Sequence, residues 1–129
     1  ADTKAPGASD IAGLISEARR TGFDIIVHGL EDLPTESDEL YQFTVYRVVQ
    51  ELLTNMIKHS RDKRGVLRFR STGNGLVLNA DNPAARTPNS HNPGYGLIGM
   101  SERVKAYGGS VETRTADGYF FTTVEVPND

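Results

Sequence analysis

The sequence predicts an α/β two-layer sandwich, in which a mixed and mostly antiparallel sheet is covered on one face by three helices. Three segments with helical spacing of apolar residues alternate with five short apolar runs along the 129 residues. Turn sequences at residues 72–75 and 116–118 join two pairs of these runs into hairpins, so the sheet is at least partly antiparallel. Three amphipathic helices beside one sheet are typical of a two-layer architecture.

The first helix and the first strand are predicted from a cap, a stop and an apolar run. Ser9 precedes apolar residues at helical spacing, and we expect it to cap a helix that runs to about Thr21. Gly22 stops this helix, because glycine readily adopts the left-handed conformation found at helix ends. Residues 23–28 form an apolar run of strand length and are predicted to be the first strand.

A long central helix is predicted after a turn at residues 29–34. Thr35 or Ser37 is expected to cap it, and it is expected to end near Ser60. Its apolar stripe is broad, and we therefore expect the helix to be buried against the sheet.

The second half of the chain is predicted to contain four strands, a loop and the third helix. The strands are expected at residues 66–71, 76–81, 110–115 and 119–126, and the helix at residues 97–107. Residues 82–96 are expected to form the loop, because they hold three prolines, three asparagines and two glycines with almost nothing apolar.

Length and composition exclude several classes of protein. The 129 residues suffice for one domain, which we assign to residues 9–129 after a linker or chain end at residues 1–8. The net charge of −3, with acidic and basic residues interspersed, argues against nucleic-acid binding. The absence of cysteine excludes disulfides and zinc–thiolate sites and suits the cytoplasm. No apolar run approaches the roughly 20 residues of a membrane span, so we expect no membrane contact by this domain.

The most informative stretch is residues 50–60, near the end of the central helix. Glu51 and Asn55 are four residues apart and share one helical face, and Lys58 and His59 continue this polar stripe. A carboxylate can orient a nucleophile, an amide oxygen can bind Mg²⁺, and a cation can meet phosphate oxygens. The alternative is that these side chains form only the solvent-facing side of an amphipathic helix.

Residues 94–99 read Gly-Tyr-Gly-Leu-Ile-Gly, a literal match to the glycine pattern of dinucleotide-binding proteins. A loop precedes the match and only a hairpin follows the helix, so the βαβ unit of those proteins is excluded. Gly94 and Gly96 would still allow a backbone to approach phosphates at the start of a helix. The alternative is that they merely end a flexible loop. Arg103, two turns into the helix, could reach an anion or face solvent, and we expect it to face solvent.

The order of these features resembles the ATP-binding catalytic domain of sensor histidine kinases, which has the Bergerat-type ATP-binding fold of gyrase, Hsp90 and MutL. The family's asparagine box is similar to residues 45–55, Val-Tyr-Arg-Val-Val-Gln-Glu-Leu-Leu-Thr-Asn. Its second glycine box is similar to residues 94–100, followed by Glu102-Arg103-Val104 and Gly108-Gly109. Both forms are similar to the subfamily that pairs with NarL-type response regulators. The resemblance covers nearly the whole chain.

The resemblance implies a role for each member of the polar stripe. Glu51 would be the catalytic residue that orients the attacking group, and Asn55 would bind Mg²⁺ through its amide oxygen. Lys58 and His59 would lie near phosphates. The lid over bound ATP would end at Gly94, Tyr95, Gly96 and Leu97.

One position departs from the family's pattern, which has an aspartate that accepts a hydrogen bond from the adenine amine, followed by glycines. Residues 80–85 are Ala-Asp-Asn-Pro-Ala-Ala. Strand alternation puts Asn82 at the adenine position, on the same face as Ala80, and points Asp81 away. Asn82 would accept through its side-chain oxygen. Asp81 would replace it only if a bulge shifted the register.

We therefore expect a cytoplasmic domain that binds Mg²⁺ and ATP and donates the γ-phosphate to a histidine on dimerisation helices upstream in the same protein. The intact kinase, itself membrane-anchored or not, would then phosphorylate a response regulator. None of His28, His59 and His91 has the context of a phosphoacceptor, so the isolated domain would not phosphorylate itself. Two alternatives stay open: an anti-sigma-type serine protein kinase, and a degenerate nucleotide-binding or interaction module.

Overall fold

The computed structural model describes residues 5–84 and 97–128. Its strands are β1 (Asp24–His28), β2 (Arg64–Thr72), β3 (Gly75–Pro83), β4 (Ser110–Ala116) and β5 (Tyr119–Pro127). Its helices are α1 (Ile11–Arg20), α2 (Glu39–His59) and α3 (Leu97–Lys105), with short 3₁₀-helices at Ala8–Asp10 and Leu30–Asp32. No helix in this part of the chain combines the length and the hydropathy needed to cross a membrane.

Within the described residues the five strands form one mixed sheet with the order β1-β2-β3-β5-β4. β1 and β2 are parallel, whereas β2 with β3, β3 with β5, and β4 with β5 are antiparallel. Both predicted hairpins are present, so the mixed, mostly antiparallel sheet with three helices is confirmed. α3 leads only into the β4–β5 hairpin, which agrees with the exclusion of a dinucleotide-binding βαβ unit.

The core lies between the sheet and the apolar face of α2. Val45 and Val48 of this helix are fully buried, because their spacing keeps them on one side of it. β3 presents alternate residues to the helix, and Leu78 is completely buried. The packing is close enough that β2 needs a glycine, since a Cβ on Gly65 would overlap the thioether of Met56. The long helix is therefore buried against the sheet, as its stripe predicts.

The first helix begins later than predicted, and the chain before it is packed on the domain. Ser9 lies inside a 3₁₀-helix, and Asp10 precedes α1 with its carboxylate accepting from the Gly7 N–H at 2.8 Å. Ala8 is buried, and its N–H donates to Oε1 of Gln42 at 2.9 Å. Residues 7 and 8 are thus held against α2, although we assigned them to the linker.

The second helix is capped by a residue that the sequence analysis did not choose. Asp38, not Thr35 or Ser37, is the N-cap of α2, and its carboxylate accepts from the Tyr41 N–H at 2.9 Å. An N-cap side chain must lie directly before the first helical residue to reach the free N–H groups of the first turn. Three capping residues occur within four positions here, so only the backbone decides between them.

β3 is longer than predicted and includes the first two residues of the expected loop. Asn82 and Pro83 pair with Phe120 and Tyr119 of β5. The apolar alternation that predicted the strand stops earlier, but the neighbouring strand continues and provides partners for these residues. Ala84 follows with an isolated bridge to Ser60, and residues 85–96 of the expected loop lie outside the described residues.

Candidate functional site

The predicted polar stripe lies at the end of the domain where α2 and β3 finish side by side. The backbone N–H of Arg61 donates to the Pro83 carbonyl at 3.0 Å, and Ser60 forms a β-bridge with Ala84. Asn55 is little more than one helical turn before Ser60. The stripe on the helix and the end of β3 therefore border the same region.

Glu51 is held by two arginines at the contact between α2 and α3. Its Oε2 accepts a hydrogen bond from Nη2 of Arg103 on α3, and Nη2 of Arg47, one turn earlier on α2, lies 4.0 Å away. The Glu51 side chain is only 16% exposed, so water screens these ion pairs weakly. Gly99, in the first turn of α3, lies beside the same carboxylate, since a Cβ there would be 3.9 Å from Oε1.

Arg103 corrects our expectation that it faces solvent. Its side chain is 33% exposed and engages Glu51. α3 buries Met100 and Val104, and Arg103 stands beside them on the helix surface next to α2. Helical spacing in the sequence puts Arg103 near this buried face, but it cannot show that the Glu51 carboxylate lies opposite on α2.

Asn55 and the residues after it continue the stripe in the predicted order. Asn55 is partly buried one turn beyond Glu51, and no hydrogen bond among the described residues uses its carboxamide. Lys58 and His59 are exposed in the last turn of α2. Of the expected lid residues, Leu97 begins α3. The others lie outside the described residues, namely Gly94, Tyr95 and Gly96.

The sheet contributes Asn82 on the face that the alternation predicts. Asn82 is 4% exposed, shares its face with Ala80, and donates from Nδ2 to the Pro83 carbonyl at 3.0 Å. No donor among the described residues reaches its Oδ1, so an acceptor is left open. Thr122 of β5, which pairs with Ala80, is a second buried polar residue here and was missed by the sequence analysis. Thr122 could have been found from strand alternation, because it lies two residues before the buried Val124 and therefore on the same face of β5.

Two sensor histidine kinases are among the curated proteins that share sequence with this chain. It is 35% identical over 85 residues, or 65% of its length, to the signal transduction histidine-protein kinase/phosphatase UhpB of Salmonella typhimurium. It is 31% identical over 84 residues, or 62% of its length, to the sensor histidine kinase ComP of Bacillus subtilis. These matches span only 17% and 11% of the two relatives. No family model matches the chain.

Solved histidine kinases have the same fold. The catalytic domain of histidine kinase ThkA superposes with a TM-score of 0.69 at 14% identity, covering 94% of this chain and 90% of that one. The Erythrobacter litoralis EL346 blue-light activated histidine kinase gives 0.71 at 17% identity, covering 95% and 42%. In sequence and in fold, the chain matches the catalytic domain of sensor histidine kinases. The resemblance expected from the asparagine and glycine boxes is thereby confirmed.

Asp81 of this histidine kinase-type domain faces away from the site. It lies on the opposite side of the sheet, where Nη1 of Arg68 donates to its Oδ2 at 3.0 Å. β3 pairs with both neighbouring strands in unbroken register through Asp81, so the bulge that would turn its carboxylate toward α2 is absent. The alternative in which Asp81 accepts from adenine is therefore contradicted.

The site of the histidine kinase-type domain combines one carboxylate with an excess of positive charge. Arg47 and Arg103 both face Glu51, and each has a buried Nε without an acceptor in the described part of the chain. α3 also begins beside this cluster, and the first turn of a helix favours anions. The described residues hold no group of three or more His, Asp or Glu side chains that could bind a metal alone. The surface suits a polyphosphate.

A cavity of about 420 Å³ at the other end of β3 is a poor candidate for a nucleotide. It lies beside the β2–β3 turn, and its wall includes Glu31, Asp32 and Glu36. Three carboxylates would repel a triphosphate. The charge of this cavity therefore favours the other end of β3 as the candidate site.

Proposed function

We propose that this domain binds Mg²⁺–ATP beside the end of α2 and donates the γ-phosphate to a histidine on the dimerisation helices of its kinase. The observation that carries the proposal is the carboxamide of Asn55, which makes no hydrogen bond within the described part of the chain and lies one turn from the Glu51 carboxylate that Arg103 holds. Mg²⁺ prefers oxygen ligands, which a carboxamide can supply, and the attacking group needs an acceptor nearby. Both curated relatives are named as histidine kinases, which supports the same activity here.

The bound nucleotide would lie between the sheet and the ends of two helices. Asn82 would accept from the adenine amine through Oδ1, and Asn55 would bind Mg²⁺ through its amide oxygen. The phosphates would provide most other ligands of Mg²⁺, because the described part of the chain holds no cluster of His, Asp or Glu for it. Mg²⁺ would neutralise phosphate charge. Lys58 and His59, in the last turn of α2, would lie near the phosphate oxygens.

The transfer would be an in-line displacement. A ring nitrogen of the phosphoacceptor histidine attacks the γ-phosphorus, the bond from phosphorus to the ADP oxygen breaks, and ADP leaves. Glu51 orients the attacking imidazole by accepting a hydrogen bond from its other nitrogen. Positioning and charge neutralisation lower the barrier. The phosphoacceptor would belong to the upstream helices, so this domain alone would not phosphorylate itself, and a response regulator would receive the phosphate from the intact kinase.

Calorimetric titration with ATP, with and without Mg²⁺, tests the binding site. We expect Mg²⁺ to increase ATP affinity in the wild type and to have no such effect in Asn55→Ala, which removes the amide oxygen. Thr54→Ala is the matched control, because Thr54 is exposed on the same helix and its hydroxyl donates to the Gln50 carbonyl of that helix. Equal dependence on Mg²⁺ in Asn55→Ala and the wild type would remove Asn55 from the metal site. Absence of heat from the wild type at millimolar ATP would favour the degenerate module.

The chemistry of the product separates a histidine kinase from a serine kinase. The wild-type domain is incubated with ATP and with dimerisation helices that carry a phosphoacceptor histidine. Phosphohistidine is hydrolysed in acid, whereas phosphoserine survives. We expect label on the helices that is lost in acid. Acid-stable label on a separate protein substrate, with none on the helices, would support the anti-sigma-type alternative.

A further inference from the structure

The bond between Glu51 and Arg103 joins two helices through the residue to which the proposed function gives the catalytic role. Glu51 belongs to α2 and Arg103 to α3, so the carboxylate is tied to both elements at once. Arg47 contributes less, because its Nη2 is 4.0 Å from Oε2 and its side chain is more exposed than that of Arg103. The orientation of the Glu51 carboxylate therefore depends mainly on Arg103.

The two oxygens of the Glu51 carboxylate have different surroundings. Both arginine contacts are to Oε2, whereas no described donor reaches Oε1. Oε1 lies beside Gly99, whose missing side chain leaves space next to it. A carboxylate bound through one oxygen loses rotational freedom, and its second oxygen then points in a fixed direction. Such an oxygen is a ready acceptor for a hydrogen bond from an incoming group.

We propose that Arg103 is a positioning residue for phosphoryl transfer, which acts by holding Oε2 of Glu51 so that Oε1 is presented to the attacking imidazole. This inference rests on the proposed function and adds a residue to it. It also explains why a glycine at position 99 is favourable, because a larger side chain at this position in α3 would occupy the space in front of Oε1. Arg103 already has a carboxylate partner, which favours a role in positioning Glu51 over a role as a phosphate ligand.

Transfer kinetics with the phosphoacceptor helices supplied as a second protein test this role. Arg103→Gln keeps most of the side-chain length and removes the charge, and Arg103→Lys keeps the charge but loses the planar fork. We expect Arg103→Gln to lower kcat by about tenfold or more, since small misplacements of a reacting group have effects of this size. The KM for ATP should stay within about twofold of wild type, since uniform binding is not touched. Arg103→Lys should recover part of kcat.

Two controls separate positioning from general damage to the domain. Arg20→Gln removes an arginine from another ion pair, with Glu17 at 3.0 Å on α1, and should leave kcat unchanged. Gly99→Leu should lower kcat with all charges intact. Gly99→Ala should be tolerated, because its Cβ would lie 3.6 Å from Arg103 Nη2 and 3.9 Å from Glu51 Oε1, which is ordinary contact. Thermal unfolding shows whether each variant is folded. If Arg103→Gln does not fold, the separate variants Arg103→Lys and Gly99→Leu test the proposal in its place.

Each result decides the proposal. A raised KM for ATP with unchanged kcat in Arg103→Gln would make Arg103 a phosphate ligand and overturn the positioning role. Wild-type kcat and KM in a folded Arg103→Gln would reduce the ion pair to a link between helices. In both cases the wild type still transfers phosphate, so the proposed function stands. A wild-type domain that binds no ATP would overturn the proposed function and this role together.

Discussion

Replacement of Asn82 by aspartate tests the proposed contact between this residue and the adenine base. Asn82 is 4% exposed at the end of β3, and its Nδ2 donates to the Pro83 carbonyl at 3.0 Å, while its Oδ1 has no donor among the residues that the structure describes. In the proposed complex Oδ1 accepts from the 6-amine of adenine. Asn82→Asp offers a charged acceptor to the same amine but loses the donor to Pro83. The change should therefore strengthen ATP binding and lower the free energy of unfolding of the domain without nucleotide.

The magnitudes follow from the burial of Asn82. A neutral hydrogen bond contributes about 1 kcal/mol, and a charged acceptor roughly doubles this, so Asn82→Asp should bind ATP about fivefold more tightly. Inosine triphosphate presents a carbonyl where ATP has its amine. Against Oδ1 it loses the bond and leaves a buried acceptor unpaired, which costs roughly 2 kcal/mol, or about 30-fold in affinity. The lost Pro83 bond and the buried charge should lower the free energy of unfolding by about 1–3 kcal/mol.

Competition titrations with ATP and inosine triphosphate, together with urea unfolding, measure both effects. Asn79→Asp is the matched control, since Asn79 lies on the same strand but on the far face, where its Oδ1 accepts from Thr123 at 2.9 Å. It should leave the ratio of the two affinities unchanged. Asn82→Ala should reduce that ratio to near one. If the wild type binds both nucleotides equally well, or if Asn82→Ala keeps the preference for ATP, Asn82 does not read the base.

Two further predictions concern stability. Burial raises the pKa of Tyr41 to about 12, so the folded state holds the phenol proton more tightly than the unfolded state does. The contribution of Tyr41 to the free energy of unfolding should be constant below about pH 10 and fall by up to about 2 kcal/mol toward pH 12. Tyr41→Phe, which removes the hydrogen bond to the Val126 carbonyl, should cost about 1 kcal/mol at neutral pH and flatten this decline. If the free energy of unfolding of Tyr41→Phe falls equally steeply with pH, a group other than Tyr41 causes the decline. Gly65→Ala should cost about 1–3 kcal/mol, because its Cβ would overlap Met56, whereas Gly73→Ala, with nothing within 4 Å, should cost far less. Equal urea midpoints for these two alanine variants would contradict the packing argument.

The sheet and the stripe were predictable because they follow from periods in the sequence. Alternation along β3 puts Asn82 on the helix-facing side and Asp81 on the other, and the structure agrees. A spacing of four residues places Glu51 and Asn55 on one face of α2. The cap of α2 was not predictable in the same way, because Thr35, Ser37 and Asp38 are all good capping residues within four positions.

The partner of Glu51 lay beyond the reach of sequence reasoning because it depends on how two helices face each other. Arg103 is 52 residues away from Glu51 in the chain, and no local period connects them. Helical spacing places Arg103 next to the buried face of α3, but a long cationic side chain can turn outward from there as easily as inward. The packing of α3 on α2, with Met100 buried at the contact, resolves this choice.

The geometry at Asn82 also bears on whether the adenine site has decayed. Decay would leave position 82 free to face solvent or to lose its acceptor. Instead Asn82 is buried, its Nδ2 donates to the Pro83 carbonyl, and no donor in the described ranges 5–84 and 97–128 reaches its Oδ1, the kind of acceptor that an adenine amine requires. The change from carboxylate to carboxamide removes about 1 kcal/mol of charge assistance. It also removes a negative charge from a site that, in the proposed complex, receives a triphosphate beside Glu51. The free energy lost in the base contact is thus smaller than the free energy that the proposed phosphate and Mg²⁺ contacts would contribute. This comparison favours nucleotide binding over a decayed site.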